Sequence, residues 1–116
     1  MIGLCESLLY AHKAGLKIDD MINLLSKGAA GSFSLEKLGP RMLKRDFDPG
    51  FYVEHFVKDL GIALDEGKRL GLALPGTALA QQFYHALVAQ GGGRMGTQGL
   101  LTVLEKFNNT EIKKYE

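Results

Sequence analysis

The chain has 116 residues, 46% of them hydrophobic and 23% charged. That is the balance of an ordinary soluble globular chain with room for one modest core. A formal charge of +1 supplies no electrostatic case for nucleic acid or an anionic membrane. No apolar run approaches the ~20 residues of a membrane span. Met1–Leu9 lacks the length and positive start of a secretory signal. Cys5 stands alone, so no internal disulfide forms, which fits a reducing compartment. Asn108-Asn109-Thr110 matches a glycosylation sequon, which reads as chance without a signal peptide.

The first helix is predicted from the start of the chain to Ala14, with Gly15 as its stop. Leu4, Cys5, Leu8, Ala11 and His12 form one apolar-leaning stripe, while Ile2, Leu9 and Tyr10 lie on the other side. Nothing at Met1-Ile2 resembles an N-cap. A helix apolar on two sides and uncapped reads as the C-terminal part of a longer, buried helix. The alternative is a true N-terminus that frays. After Leu16-Lys17-Ile18, Asp19 can cap a second helix from Asp20 to Lys27, with Met21, Leu24 and Leu25 inward and Gly28 at its end.

Gly28-Ala29-Ala30-Gly31-Ser32 is a small, flexible link, and Ser32 can cap a short helix over Phe33–Leu38. An anion could sit at that helix start, but a plain interhelical loop is the simpler reading. Gly39-Pro40 is expected to break the helix, leaving Arg41–Lys44 as a separate turn. A loop turning at Pro49-Gly50 leads into the longest helix, Tyr52 to Leu70, which stops at Gly71. Val53, Phe56, Val57, Leu60, Leu64 and Gly67 share its inner stripe.

Pro75 bars helical geometry at Leu74. A fifth helix follows from Thr77 to Gln90, with Leu79, Phe83, Leu87 and Ala80 as inward candidates, and Gly91-Gly92-Gly93 ends it. Thr97 can cap a sixth from Gln98 to Phe107, with Leu100, Leu101 and Leu104 apolar. Asn108–Glu116 reads as a polar, frayed tail. No stretch alternates like a strand, so the predicted class is all-α with about six helices.

Motifs of chemistry are sparse. His12, His55 and His85 are scattered and Cys5 has no partner at zinc-like spacing, so no metal site is expected. Gly91-Gly92-Gly93 does not follow a strand and is no dinucleotide fingerprint. Lys58 and Asp59 are the best charged pair. Against them, Glu54/Lys58, His55/Asp59 and Asp65/Arg69 are each four apart. Such pairs ordinarily decorate a solvated face and contribute about 0.2–0.5 kcal/mol each. Ile62 is out of place among these charges.

Five segments nevertheless occur in a telling order: Gly28-Ala29-Ala30-Gly31-Ser32; Leu38-Gly39-Pro40-Arg41-Met42-Leu43; Asp46-Phe47-x-Pro49-x-Phe51; Lys58-Asp59-Leu60-Gly61-x-Ala63-Leu64; and Leu70-Gly71-x-x-Leu74-Pro75. Together they resemble the C-terminal helical domain of the β-hydroxyacid dehydrogenases. That family includes 3-hydroxyisobutyrate dehydrogenase, tartronate semialdehyde reductase and glyoxylate/succinic semialdehyde reductase. The likeness covers Leu4 to Leu104.

The resemblance implies a fold like the C-terminal domain of 6-phosphogluconate dehydrogenase. The first helix would be the second half of a long interdomain helix. Residues 1–107 would form a substrate and dimerisation domain and 108–116 a polar tail. The dinucleotide-binding domain, its Gly-rich loop and the catalytic lysine would lie upstream, outside this chain, leaving it inactive alone.

NAD or NADP is the implied cofactor, and a short β-hydroxy acid or semialdehyde the implied substrate. Implied partners are the upstream domain and a second subunit; nucleic acid and membrane are not expected. The implied compartment is the cytoplasm or mitochondrial matrix. Residue by residue, the resemblance makes Lys58 a cofactor contact, Asp59 a supporting catalytic carboxylate and Phe51 an aromatic wall of the substrate pocket. Ile62 would join that wall. One departure is Gly93-Arg94-Met95-Gly96-Thr97-Gln98, where many relatives carry an acidic residue. The reading from a different class is a stand-alone helical module that uses the apolar sides of the first helix to dimerise or bind a partner.

Overall fold

The computed structural model describes residues 1–113. It contains six α-helices: α1 (Ile2–Lys13), α2 (Ile18–Leu25), α3 (Gly39–Leu43), α4 (Val53–Arg69), α5 (Pro75–Ala89) and α6 (Leu100–Phe107). A π-helical turn (Ser34–Leu38) runs into α3, and a 3₁₀ turn (Thr97–Gly99) runs into α6. The all-α expectation holds. Gly15 and Gly71 end α1 and α4 at φ +71°, a left-handed conformation that glycine adopts without a Cβ clash.

The core is one cluster drawn from nearly every element. Cys5, Leu8 and Ala11 of α1 meet Ile18 and Ile22, then Leu35, Met42 and Leu43, then Tyr84 and Leu87, and finally Leu100, Leu101, Val103 and Leu104. Two helices keep part of their predicted inner faces, with Met21, Leu25, Phe83 and Leu87 on the core as expected, and depart from the rest. In α2, Ile18 and Ile22 point inward while Leu24 is exposed, and the helix starts before Asp19. In α5, Tyr84 and Leu87 are buried while Leu79 is exposed. Both sequences offer two apolar stripes, and the neighbouring helices decide which one is covered.

Pro40 does not break the chain's helical path. The preceding turn widens, Gly39 N–H donating to Ser34 O, so Pro40 enters as a first-turn residue of α3, where its missing N–H costs nothing. Ser32 does cap this segment, its Oγ accepting from Leu35 N–H at 3.0 Å.

The frayed-tail expectation fails over the described part of 108–116; Lys114–Glu116 lie outside it. Ile112 is fully buried, which contributes about 1.5–3 kcal/mol. Its N–H donates to Glu105 Oε1 at 3.0 Å, and Arg45 Nη1 donates both to Glu105 Oε1 (2.6 Å) and to Ile112 O (3.3 Å). Glu105 is itself buried.

α4 and α5 form an antiparallel hairpin. Phe56 meets the Tyr84 ring edge-on at 5.0 Å, Gly61 admits the Gln81 amide, and Gly67 lies against Leu74. Gln81 Nε2 donates across this crossing to Val57 O at 3.4 Å. The predicted inner stripe of α4 is the packed one, but only Val53 and Gly67 are fully buried. α4 therefore leans on α5 at the edge of the molecule and leaves its outer side open.

Candidate functional site

The outer side of α4 is built on a clamped loop. Arg41 makes a bidentate pair with Asp46 (Nε to Oδ2 2.7 Å, Nη2 to Oδ1 3.0 Å) and also donates from Nη2 to Asp48 O at 2.8 Å. This guanidinium holds the Asp46 carboxyl below the ordinary carboxylate range. Asp48 N–H closes a short turn onto Asp46 Oδ1 at 3.1 Å. Behind the loop, Gln98 Nε2 donates to Asp46 O and Asp48 O, and Gly96 N–H donates to Phe47 O at 2.9 Å.

The same 93–96 turn segment, which bridges Tyr52 at Gly96, caps α4. Val53 N–H donates to Met95 O and Glu54 N–H to Gly93 O, both at 2.9 Å. Two of the four N–H groups that a helix start leaves unpaired are thus satisfied by a distant loop rather than by a side chain. Arg94 lies over the Tyr52 ring at 4.8 Å and within 3.5 Å of Glu54. That pins the near end of this segment to the helix start.

His55, Lys58 and Ile62 recur at spacings of three and four, which sets them along one face of α4, and Phe51, just ahead of the helix, joins that face through His55. His55 stands edge-on to both Phe51 (6.3 Å) and Tyr52 (5.4 Å), and Phe51 also meets Phe56 at 6.2 Å. Lys58 Nζ lies 3.8 Å from Asp59 Oδ1, and the lysine side chain is 66% exposed. A separation beyond hydrogen-bond length leaves this ammonium available to another anion. Ile62 is 60% exposed.

Lys58 and Asp59 are thus adjacent. Phe51 stands two residues ahead of α4, against His55 of its first turn. The expected four-apart ion pairs do not form: Arg69 pairs with Glu66, Glu54 with Arg94, and Lys58 with its neighbour Asp59. The face is an open surface of mixed apolar and charged groups. It suits a ligand carrying a phosphate or carboxylate beside an apolar part.

Spacing gives no hint of Gln98 or of Arg94 over Tyr52, since each acts across some forty residues or more. Arg41 and Asp46 fall within the recognised segments, but their five-residue separation is no helical pairing.

A concavity of about 530 Å³ lies elsewhere, between α5, α6 and the C-terminal segment, and includes none of Phe51, Lys58 and Asp59. Its charges are paired internally: Arg45 with Glu105, and Lys106 Nζ donating to Gln90 Oε1 at 3.0 Å. Its two cations are thus both engaged within the wall. The Gly28–Ser32 link is a plain turn, Gly31 N–H donating to Gly28 O. No group of three or more His, Cys, Asp or Glu among the described residues is placed to hold a metal ion. No helix there is long and apolar enough to cross a membrane.

These features fall within a known class of helical domain. Residues 1–104 match the family described as "NAD-binding of NADP-dependent 3-hydroxyisobutyrate dehydrogenase", and the chain belongs to it. It is 60% identical over 113 residues to the Arabidopsis thaliana protein named probable 3-hydroxyisobutyrate dehydrogenase-like 1, mitochondrial, covering 97% of this chain and 34% of that one. It is 39% identical over 107 residues to the 2-hydroxy-3-oxopropionate reductase of Escherichia coli, covering 92% and 37%. The crystal structure of a 3-hydroxyisobutyrate dehydrogenase from Salmonella typhimurium superposes with a TM-score of 0.81 at 25% identity, covering 88% of this chain and 36% of the other. The chain spans about a third of the length of the curated relatives it matches.

Proposed function

We propose that this chain is the substrate-side domain of a nicotinamide-dependent β-hydroxyacid dehydrogenase, completed by a dinucleotide-binding domain preceding α1. The observation that carries the proposal is the outer face of α4. There Phe51, Lys58, Asp59 and Ile62 are exposed together in a chain of this family. The bound nicotinamide supplies the hydride acceptor for the oxidation of a β-hydroxy acid. The hydroxyl proton goes to a lysine of the preceding segment, and the product is the semialdehyde.

In this reading Lys58 holds a cofactor phosphate or the substrate carboxylate by charge. Asp59 orients the catalytic ammonium, and the Phe51 ring keeps water from the hydride path. α1 would be the second half of the helix joining the two domains, with residues 1–107 as the domain proper. Of the cytoplasm and the mitochondrial matrix, the Arabidopsis relative's name favours the matrix. The choice between NAD and NADP would be made in the preceding domain.

The test joins this chain to that domain and follows cofactor reduction with a panel of short β-hydroxy acids. Turnover with at least one of them is expected, with none from the 116-residue chain alone. Complete inactivity of the joined protein on the panel with both cofactors overturns the proposal.

A second subunit fits the opposite side of the hairpin. Leu79 and Phe107 are exposed, and Phe107 packs on Phe83 at a ring distance of 5.8 Å. An apolar surface of this kind is a contact surface in oligomers. Sedimentation equilibrium should give a dimer that Leu79→Lys dissociates; a wild-type monomer sinks the assignment.

A further inference from the structure

We infer that Gln98 is a positioning residue for the site: its buried amide fixes the loop that carries Phe51, and engagement of the substrate depends on it. This rests on the functional reading above and adds to it a residue at the start of the last helical segment, far from α4 in sequence.

Gln98 is 1% exposed. An amide so placed is costly unless its hydrogen bonds are made. Nε2 makes two, to Asp46 O at 3.2 Å and to Asp48 O at 2.9 Å. One nitrogen with two protons thus bridges two carbonyls of one loop. Asp48 O also accepts from Arg41 Nη2 at 2.8 Å, so it is gripped from both sides of the chain.

Gly96 makes room for this arrangement. A Cβ there would collide with the Gln98 amide oxygen and stand 2.9 Å from Asp48 O. The glycine, the glutamine and the two carbonyls form one packed unit.

Towards its tip the loop is otherwise held by the Arg41 bond to Asp48 O, by the Asp48 N–H bond to Asp46 and by the Phe51 ring against Phe56 and His55. Asp48, Pro49, Gly50 and Phe51 are all exposed, so burial of their own side chains does not set the path of the backbone. Phe51 follows Asp48 by three residues. Without the Gln98 amide the backbone ahead of the ring loses two of its bonds and is left to the Arg41 bond. Glutamine is the side chain the geometry requires. Leucine fills the volume without a donor, and ionised glutamate turns an acceptor on two acceptors.

The experiment uses the protein formed by this chain joined to its dinucleotide-binding domain, comparing Gln98→Leu, Gln98→Glu and the core control Leu101→Ala. The expected result for Gln98→Leu is a KM for the β-hydroxy acid raised about tenfold or more, with the dissociation constant of the nicotinamide cofactor unchanged. Leu101→Ala should lower the melting temperature without moving KM. In Gln98→Glu, activity relative to wild type should recover as pH falls, because a protonated carboxyl donates one of the two lost bonds. Equal KM changes in Gln98→Leu and Leu101→Ala, or a pH-independent ratio for Gln98→Glu, overturn the positioning role.

Amide exchange in the 116-residue chain separates this from the functional reading. Gln98→Leu should remove protection at the Gly96 and Val53 N–H groups, which bond across the same junction, and leave α5 protected. Unchanged protection overturns the clamp. An inactive joined wild type with the exchange effect intact overturns the functional reading alone.

Discussion

At the scale of single residues, Cys5 and Tyr84 show how burial sets chemistry here. Both lie in the core. Burial pushes the Cys5 thiol up to about 12. Burial also raises the Tyr84 hydroxyl, helped by nearby Cys5, and that hydroxyl donates to Thr97 O at 2.9 Å. Cys5 is therefore no nucleophile in the folded chain. The unfolded chain releases these protons at lower pH than the folded chain does. Stability is then fully present below the ordinary thiol value of 9.0 and is lost as pH rises from there through about 12. The loss is at most about 1.4 kcal/mol per pH unit for each group. Urea midpoints should stay level just below that value and fall above it, and a midpoint that holds or rises would contradict the burial of both groups. Gly96 gives a second residue-scale prediction. Because a Cβ there stands 2.9 Å from the backbone oxygen of Asp48, Gly96→Ala should destabilise the fold by about 1–3 kcal/mol, read as a lowered melting temperature.

At the scale of elements, α6 and the segment after it do more than close the core. Glu105 ties α6 to Arg45 and to Ile112, and Arg45 sits at φ +58°, just before the site loop. A non-glycine residue held in that conformation costs of order 1–3 kcal/mol, so a charged anchor there has a purpose. Glu105→Leu leaves the Arg45 guanidinium, a quarter exposed, without its close carboxylate and with only Glu111 at 3.9 Å. The expected loss is about 2–3 kcal/mol. Adding Arg45→Met should recover part of it, so a double-mutant cycle by urea unfolding that shows strict additivity would dissolve the pair. None of this is legible from helical spacing, since Arg45 lies 60 or more residues from Glu105 and Ile112, Ile112 falls beyond the end of α6, and only Ile112 is apolar. The helices themselves were legible where one stripe dominates: α4 packs on the face its pattern predicts. α2 and α5 each carry two plausible stripes within a few turns. Leu24 and Leu79 fit a pattern as well as Ile22 and Tyr84 do, and only the packing partner separates them.

At the scale of the whole molecule, α4 stands apart from the rest. It is the longest helix, yet only Val53 and Gly67 are fully buried, and it rests mainly on α5 and on the loop that caps it. Its outer side carries Phe51, His55, Lys58, Asp59 and Ile62 at no visible gain to the fold. Sequence and family likeness together pointed to Phe51, Lys58 and Asp59. The flanking Tyr52, His55 and Arg94 emerge only once the 93–96 segment is laid against the helix start. Stability and the proposed function should therefore separate cleanly at Lys58 and Asp59. Lys58→Met and Asp59→Asn remove an exposed pair held at 3.8 Å, and surface changes of that kind stay within about 0.5 kcal/mol of wild type. Thermal melts of the 116-residue chain should be nearly superimposable. In the joined protein the same substitutions should reduce kcat/KM by about a hundredfold, the scale at which lost positioning and charge stabilisation act. They should act differently: Lys58→Met mainly by weakening the nicotinamide cofactor, Asp59→Asn mainly through kcat at saturating cofactor. If both variants melt like wild type and turn over like wild type, the outer face of α4 is not the wall of the cleft.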